Sequence, residues 1–401
     1  MVKTIAILGY GQRGQIYADY ARKHPDEFCL VAVTDNDSAK RDLAARQENC
    51  PIFADYRAFL SADIPADVVA VATQDADHAV HAVACMERGY DLLLEKPIAT
   101  TLADCERIYA TAQQYKRKVI VCHVLRYTPF YRLIKEQIVS GALGDIVTIH
   151  ASENVGYYHQ AHSFVRGPWR DSHESCPMIV AKCCHDMDIL RWLMEAPCEE
   201  VSSIGSLTYF RPECAPAGST AFCSDCKLDC VYRAQTIYDE HRWMTGYFCA
   251  DRTDAEIAEK LPHSRYDACV YRAGNDVVDH QVSIFRFAGN RTACHTMTAF
   301  SKEIYRDIKI HGTKAELVGV MEDDHIEVRP FGGETQVIDI DPSQTRGNHG
   351  GGDVGLMHGV WLDLNGQKTD GISYLDVSIE SHRMAFGAEQ ARLTDTVVQL
   401  R

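Results

Sequence analysis

The first third of the chain alternates short apolar runs with stretches of helical periodicity. Within residues 15–23, for example, apolar positions recur every three or four residues, as on one face of an amphipathic helix. Runs with the length and composition of buried strands occupy residues 4–8, 29–34, 67–72, 91–94 and 118–122. Because strands that alternate with helices form a parallel sheet covered on both faces, the pattern predicts an α/β fold with a doubly wound parallel sheet.

The pattern changes after residue 122. From about residue 146 onward, strand-like segments follow each other with short turns between them. They include residues 282–287, 292–298 and 307–310. Short turns join antiparallel strands, so this part predicts a C-terminal α/β domain with a largely antiparallel, open sheet, and residues 378–393 predict a terminal helix. The expected domains are residues 1–124 and residues 125–401.

Composition and charge are those of an ordinary globular enzyme. The chain has 401 residues, 46% hydrophobic and 24% charged, and no apolar run approaches the ~20 residues that a bilayer-spanning helix needs. With 41 Lys and Arg against 56 Asp and Glu, the net charge of −15 disfavours polyanionic partners such as nucleic acid. The first residues enter an apolar run without the basic region of a signal peptide, so a cytoplasmic protein without a membrane partner is expected.

A glycine motif directly follows the first apolar run. It has the spacing of a dinucleotide-binding turn and reads Gly9-Tyr10-Gly11-Gln12-Arg13-Gly14. The first glycine permits the tight turn, the second lets the backbone approach a pyrophosphate, and the third allows a helix to pack closely on the strand. Because a helix N-terminus attracts the anion, the motif predicts a set of cofactor contacts: Gly9, Gly11, Gln12, Arg13 and Gly14.

The acidic residue expected at the end of the second strand is Asp35, 21 positions after Gly14. Its carboxylate would accept hydrogen bonds from the adenosine ribose and repel a 2′-phosphate, which favours NAD over NADP. Lys40 and Arg41 lie near enough in the sequence to weaken that preference. A glycine-rich turn in some other α/β protein is the alternative interpretation of the motif.

Further motifs extend over most of the chain. They are Val71-Ala72-Thr73 with His78, the tripeptide Glu95-Lys96-Pro97, Arg126-Tyr127 with Pro129 and Tyr131, residues 141–144, and His185-x-x-Asp188. In this combination the chain resembles the Gfo/Idh/MocA family, the relatives of glucose-fructose oxidoreductase and inositol dehydrogenase. The resemblance implies an N-terminal Rossmann domain, a C-terminal domain whose open sheet often forms a homo-oligomer interface, and NAD(P)-dependent chemistry on sugars and cyclitols. It extends the expected cofactor contacts to Thr73, His78, Glu95 and Lys96.

The resemblance also implies which residues handle the substrate proton. Family members place this role on the lysine of the Glu-Lys-Pro motif and on an Asp-x-x-x-His pair, and Lys96 and His185 match the lysine and the histidine. The residue four positions before His185 is Ala181, not aspartate. Lys182, three positions before His185, would share its helical face and could replace the missing polar group. An ordinary place on the helix surface is the alternative for Lys182.

Two stretches rich in aromatic and polar residues predict substrate contacts. Sugars are bound by aromatic faces against C–H surfaces and by directional polar groups against hydroxyls, and residues 157–170 and 349–353 supply such groups. Structured loops with turn glycines are the alternative. The predicted substrate contacts are Arg126, Tyr127, Tyr158, His159, His162, Arg166, Trp169 and His349.

Four of the 16 cysteines fall within a stretch of 17 residues. They lie in an insertion near residues 211–232 and are Cys214, Cys223, Cys226 and Cys230. The spacing is typical of a metal site, and four thiolates suit a closed, tetrahedral, structural zinc ion. An iron–sulfur cluster, free thiols and disulfides are the alternatives.

These motifs together predict an NAD-dependent oxidoreductase that transfers a hydride at a secondary hydroxyl of a sugar or glycoside, with C3 as the expected carbon. One alternative is an NAD-dependent glycosidase, a known branch of the same family. There, oxidation at C3 acidifies the C2 proton, a base such as Tyr158, His159 or His162 removes it, the C1 substituent leaves, and hydration and re-reduction follow. A second alternative is a non-catalytic NAD-binding regulator, which Ala181 favours.

Overall fold

A computed structural model describes residues 1–249, 251–367, 369 and 371–400. Its N-terminal strands are β1 (Lys3–Leu8), β2 (Phe28–Thr34), β3 (Ile52–Phe53), β4 (Val68–Val71), β5 (Leu92–Leu94) and β6 (Val119–Val121). They form one parallel sheet in the order β3-β2-β1-β4-β5-β6. The connecting helices are α1 (Gln12–Lys23), α2 (Ser38–Gln47), α3 (Tyr56–Ser61), α4 (His78–Glu87) and α5 (Leu102–Tyr115). The predicted doubly wound parallel sheet is confirmed.

Burial on both faces explains the continuous apolar runs of this sheet. Every residue of β4, β5 and β6 is buried. Side-chain caps fix where three of the helices begin, because Asp37, Asp55 and Thr101 accept hydrogen bonds from first-turn N–H groups of α2, α3 and α5. β3 has two residues, too few for a hydrophobic period, and the sequence did not predict it.

The second sheet contains nine strands. They are β7 (Ile146–Asn154), β8 (Cys198–Ser206), β9 (His280–Phe287), β10 (Arg291–Thr298), β11 (Tyr305–Gly312), β12 (Ala315–Val320), β13 (His325–Pro330), β14 (Gln336–Asp339) and β15 (Val398–Gln399). Their order is β14-β13-β12-β11-β7-β10-β9-β8-β15. Among these strands β7 and β10 pair in parallel and the other neighbours pair antiparallel, so the predicted open, largely antiparallel sheet is confirmed.

Helices cover one face of the second sheet. The remaining helices are α6 (Pro129–Val139), α7 (Tyr157–His159), α8 (Met178–Ala181), α9 (Cys184–Met194), α10 (Ala234–Glu240), α11 (Asp254–Lys260), α12 (Gly352–Leu364) and α13 (Leu375–Thr394). A π-helical turn, Gln160–Arg166, continues α7. Residues of α6, α9 and α13 share one apolar core with the sheet. None of the helices among the described residues is both long and apolar enough to cross a membrane.

The opposite face of the second sheet carries exposed apolar side chains. Along β9 the side chains alternate, with Phe285 buried and Val282 and Ile284 exposed by 43% and 57%, as expected for a strand with one covered face. Ile204 on β8 is 77% exposed. Exposed apolar patches of this kind are the surfaces that subunits bury. The homo-oligomer remains a prediction.

The last two long helices connect the sheets. Leu356, Met357 and Val360 of α12 lie in the core formed by one face of the N-terminal sheet, whereas α13 contributes to the core of the second sheet. The N–H of Val121, at the end of β6, donates to the carbonyl oxygen of Ser373 at 2.8 Å. The proposed boundary between residues 124 and 125 therefore separates the strands of the two sheets, but not every helix that packs on them.

Candidate active site

The glycine motif forms a tight turn at the carboxyl end of β1. Gly9 has φ +94°, and a Cβ there would lie 2.4 Å from the carbonyl oxygen of Ala72. A Cβ on Gly14 would lie 1.9 Å from the carbonyl oxygen of Gly9. Only glycine fits at these two positions, because backbone atoms cannot move aside as a flexible side chain does. Gly11 differs, since the nearest atom to a Cβ there is Lys40 Nζ at 4.0 Å.

Helix α1 presents its N-terminus to this turn. It begins at Gln12, which is exposed, and its N-cap Gly11 has no side chain to occupy the first N–H groups. Free N–H groups and the helix dipole favour an anion such as a pyrophosphate. The turn and the helix end together fit the phosphate portion of a dinucleotide.

Asp35 lies at the carboxyl end of β2 and is 6% exposed. The N–H groups of Tyr10 and Asp37 donate to its two carboxylate oxygens at 2.7 and 2.9 Å, and each oxygen keeps a second lone pair for a ribose hydroxyl. Lys40 Nζ lies 3.9 Å from Asp35 Oδ2, and Arg41 donates to the Asp35 carbonyl oxygen at 2.9 Å. The carboxylate is therefore held in place to bind a ribose, with one cation close enough to temper its repulsion of a 2′-phosphate.

The glycine geometry predicts different effects for two alanine substitutions. Gly14→Ala should lower the free energy of unfolding by at least about 1–3 kcal/mol, because its Cβ must displace backbone. Gly11→Ala should leave unfolding near wild type but weaken NAD binding, because its methyl group occupies the approach of the pyrophosphate. Urea unfolding and calorimetric NAD titration of both variants measure the two effects. Identical unfolding curves for the two variants would contradict this assignment.

His78 is fully buried and holds two cofactor-side loops together. Its Nδ1 lies 2.8 Å from the carbonyl oxygen of Pro97, and its Nε2 lies 3.3 Å from that of Thr73. The Thr73 hydroxyl bonds to His81 Nδ1 at 3.0 Å. The enclosed ring thus positions both loops, and a contact between His78 and the cofactor stays a prediction.

Arg13 and Glu95 form an ion-pair network beneath the glycine turn. Arg13 Nε donates to Glu95 Oε1 at 2.5 Å, and Arg13 Nη2 lies 2.7 Å from Asp353 Oδ1. Glu95 also accepts a hydrogen bond from Tyr17. Asp353 Oδ2 in turn lies 3.0 Å from His349 Nδ1. Burial would raise the pKa of Asp353, but His349 and Arg13 outweigh it and lower that pKa to about 2, so the carboxylate stays charged between two donors.

Lys96 follows β5 and reaches the helix that carries His185. Its Nζ donates to the carbonyl oxygen of Ala181 at 3.2 Å. Ala181 ends α8, and His185 lies four residues later on the first turn of α9. Burial lowers the pKa of His185 well below its usual value, and the nearby charge of Lys96 lowers it further. His185 Nδ1 is buried and has no hydrogen-bond partner among the described residues.

Lys182 pairs with an acid that sequence spacing did not identify. Its Nζ lies 3.3 Å from Oε1 of Glu153, a fully buried residue near the end of β7. Glu153 also pairs with Arg306, which donates to Asp186 at 2.9 Å. Glu153 on β7 thus supplies an acidic group that the chain lacks at Ala181. Lys182 is not a free surface lysine, because its ammonium belongs to a largely buried ion-pair network.

Three further histidines form a cluster with His185. The ring centroids of His123 and His349 each lie 5.9 Å from that of His185, and His382 lies 5.7 Å from His123. Burial lowers the pKa of all three, to about 3 for His382, so the cluster is uncharged near neutral pH. His123 follows β6 at the carboxyl edge of the sheet, and that position could have identified it. His382 lies far away on α13 and gave no local signal.

An aromatic wall faces these groups. His159 lies 5.8 Å from the exposed Trp243 ring, and Trp169 donates to Asp75 at 2.7 Å and lies 6.5 Å from Tyr247. Burial lowers the pKa of His159 well below its usual value, and the charge of Lys182 lowers it further. The sequence did not predict Trp243 or Tyr247, because they lie beyond the insertion, far along the chain from the motifs.

Several predicted substrate contacts are instead buried and paired inside the protein. Arg126 donates to Asp188 through two hydrogen bonds of 2.6 Å. The Tyr127 hydroxyl accepts from the N–H of Ser373 at 3.3 Å. Four of the predicted contacts are at most 3% exposed, namely Arg126, Tyr127, His162 and Arg166. Hydrogen bonds to the protein hold all four side chains, although Nη1 of Arg166 has no partner among the described residues. Tyr158 is 6% exposed and stacks on His241. Contact between these residues and a substrate stays a prediction.

The cysteines of the insertion separate into two groups. Cys223, Cys226 and Cys230 line one small cavity. Cys214 does not line it, and its thiol donates to the carbonyl oxygen of Thr208 at 3.4 Å. The predicted ligand set is therefore corrected, because Cys214 ends a separate turn, Pro212–Cys214.

A second group of potential ligands lies in the interior. Among the described residues, the ligand atoms of Cys183, Asp186 and His295 lie within 4.8 Å of one another. The guanidinium of Arg306 donates to Oδ1 of Asp186, the oxygen that faces His295 Nε2. The positive charge of Arg306 on the same carboxylate repels a second cation, so the group is a poor metal site.

Comparisons with known proteins agree with this geometry. A family model described as "Oxidoreductase family, NAD-binding Rossmann fold" matches residues 3–123. A companion model described as "Oxidoreductase family, C-terminal alpha/beta domain" matches residues 135–377. Levoglucosan dehydrogenase in complex with NADH and levoglucosan superposes over 100% of both chains with a TM-score of 0.74 at 17% identity, which shows a shared fold.

Two curated relatives differ in how much of them is matched. The Bacillus subtilis protein YteT is 28% identical over 320 residues, which cover 74% of this chain and 72% of YteT. Inositol 2-dehydrogenase 1 of Saccharopolyspora erythraea is 30% identical over 203 residues, 49% of this chain and 56% of that relative. The match thus spans about half the length of the inositol dehydrogenase. With both family models matched, the chain belongs to the Gfo/Idh/MocA family of NAD-binding oxidoreductases.

Proposed function

We propose that the protein is an NAD-dependent dehydrogenase that oxidises a secondary hydroxyl, at C3, of a sugar or glycoside. The observation that carries the proposal is that Lys96, which follows β5, bonds to Ala181 four residues before His185, whose ring is uncharged and whose Nδ1 has no partner among the described residues. Oxidation of an alcohol requires a group that stabilises the substrate oxygen and a group that accepts its proton. When bound, NAD supplies the acceptor for the hydride that leaves the substrate carbon.

The two side chains divide the proton chemistry between them. The Lys96 ammonium uses one of its three N–H groups on Ala181, and the others can donate to the substrate oxygen as negative charge develops there. His185 Nδ1 accepts the hydroxyl proton. Lys182 and Glu153 hold the adjacent wall, and their opposite charges compensate each other, so we assign them positioning roles.

The substrate class is inferred from the wall of the cleft. Trp243 and Tyr247 are 50% and 40% exposed, and exposed aromatic faces bind the C–H surfaces of sugars and cyclitols. His349 retains 36% side-chain exposure and offers a polar group on the other side of His185. The printed names of a relative, inositol 2-dehydrogenase, and of a structural neighbour, levoglucosan dehydrogenase, support a polyhydroxylated ring.

We expect kcat/KM to stay level as the pH falls to about 6.5 and to decline only below that value. The base must be uncharged, and burial together with Lys96 lowers the pKa of His185 below its usual 6.5, so protonation sets in only at more acidic pH. The measurement is a kcat/KM profile from about pH 5 to 9. His185→Gln should remove the acidic limb along with most of the activity, and a decline that begins above pH 6.5 would argue against this base.

A redox-neutral glycosidase is the second candidate, and one observation favours it. The His159 ring is buried, and burial lowers its pKa well below the usual value although a hydrogen bond with the Val155 backbone opposes the shift. An uncharged imidazole could remove the C2 proton after oxidation at C3. Tyr158 and His162 are less suited to this role, since one stacks on His241 and the other bonds to Tyr238.

One assay separates the candidates. Purified protein is mixed with NAD and a panel of nitrophenyl glycosides and free sugars, while nicotinamide absorbance and nitrophenolate release are recorded together, with Lys96→Ala as the matched control. Stoichiometric NADH without aglycone release supports the dehydrogenase. Aglycone release without net NADH replaces it with the glycosidase. Silence in both channels despite NAD binding would instead support a non-catalytic regulator.

A further inference from the structure

A small cavity in the insertion brings four thiols together. Its volume is about 30 Å³, and Cys223, Cys226, Cys230 and Cys269 are among its lining residues. Cys269 lies 39 positions after Cys230. This cavity lies outside the proposed dehydrogenase site and is independent of the proposed function.

Backbone pairing explains how Cys269 reaches the other three. Phe222 and Ala268 form an isolated antiparallel bridge, so the residues that follow each of them are neighbours across it. The Cys223 N–H donates to the carbonyl oxygen of Asp267 at 2.7 Å, and the Cys269 N–H donates to that of Ala221 at 2.9 Å. The Asp267 carboxylate, fully buried, accepts from Ser224 at 3.0 Å and fixes the turn after Cys223.

Two arginines supply positive charge around the cavity. Arg166, fully buried, places Nη2 3.6 Å from the Cys223 sulfur, and Arg233 is a lining residue. Four thiolates around a divalent cation leave a local charge of −2, which is costly to bury without compensation. The guanidinium groups provide that compensation.

We propose that Cys223, Cys226, Cys230 and Cys269 bind one structural zinc ion. Four thiols lose four protons to solvent as one Zn²⁺ enters, and no electron moves. Among the described residues no three of these sulfurs lie within 4.8 Å of one another, so binding requires rotation about the Cα–Cβ bonds into other staggered positions. A site closed by four thiolates has no open coordination position and contributes stability.

The zinc ion ties the insertion to the wall of the active site. Arg166 ends the π-helical turn that follows His159, and it also donates to the carbonyl oxygens of Ala268 and Tyr232, both at 2.7 Å. The metal therefore holds together the segments around Tyr232 and Ala268, which Arg166 joins to the π-helical turn. Its loss should loosen the turn that carries His159.

Elemental analysis of the full-length protein, purified without chelators, tests the proposal. We expect about one zinc per chain in the wild type and in Cys214→Ser, the matched control, and less than about a tenth of that in Cys226→Ser and Cys269→Ser. Stripping zinc from the wild type should lower Tm by roughly 10 °C, and zinc alone should restore it. Cobalt added to the stripped wild type should give thiolate-to-cobalt absorption, a readout that no variant's folding affects.

Other results would overturn the site. One is a wild-type protein that contains no zinc and whose cavity thiols all titrate as free thiols. The others are disulfides among these cysteines, and iron with inorganic sulfide in place of zinc. Loss of zinc from Cys214→Ser with retention in Cys269→Ser would refute this ligand set.

Discussion

Lys96→Ala should lower kcat by about 10²- to 10⁴-fold, the range for removal of a general acid–base group, while NAD affinity changes little. The ammonium lies at the reacting end of the cleft, bonded to Ala181, whereas the phosphate and ribose portions of the cofactor meet the glycine turn and Asp35. Removing it therefore removes stabilisation of the substrate oxygen but little cofactor binding. Steady-state kinetics and calorimetric NAD titration measure the two quantities.

A pH profile makes this prediction sharper. Lys96 is one of the charges that lower the pKa of His185. Its removal should raise that pKa, so the residual activity of Lys96→Ala should start to fall at a higher pH than the wild-type activity. Lys23→Ala, an exposed lysine on α1, is the control and should match the wild type. Full turnover by Lys96→Ala, or loss of NAD binding with turnover, would refute the assigned role.

The parallel sheet could be predicted because its signals are local. A strand such as β5 is a continuous apolar run, and the glycine turn between β1 and α1 has fixed spacing. A single sequence is enough to identify these signals, because strands that are buried on both faces consist almost entirely of apolar residues. The antiparallel sheet was also predicted from local patterns. In β9, buried and exposed side chains alternate because one face of the strand is covered.

The site was harder to predict because its partners are distant in the chain. Residue type alone could not show that Arg126 meets Asp188, 62 positions later, in the interior. Nor could it show that Glu153 would supply an acid to Lys182, since one is on a strand and the other follows a helix. Cys269 gave no signal for the same reason, because close spacing marks a metal motif in a sequence whereas a tertiary bridge brings Cys269 to the insertion.

Breaking the buried pair of Arg126 and Asp188 should have the largest effect on stability. Arg126 and Asp188 are 3% and 0% exposed, and both hydrogen bonds between them measure 2.6 Å. Arg126→Met should lower the free energy of unfolding by about 3–5 kcal/mol, because it leaves a carboxylate buried without its counter-charge. Urea unfolding measures the loss, with Lys23→Met, which breaks an exposed pair, expected to cost less than about 1 kcal/mol.

The pH dependence of that loss identifies its cause. Burial raises the pKa of Asp188 and Arg126 opposes the rise, so without Arg126 the carboxyl should take up a proton more readily as the pH is lowered. Protonation removes the unpaired charge, and the destabilisation should therefore shrink between about pH 7 and pH 5. Arg126→Met combined with Asp188→Leu should recover most of the loss, since neither charge remains. If the double variant is as unstable as the single one, lost packing and not the stranded charge explains the effect.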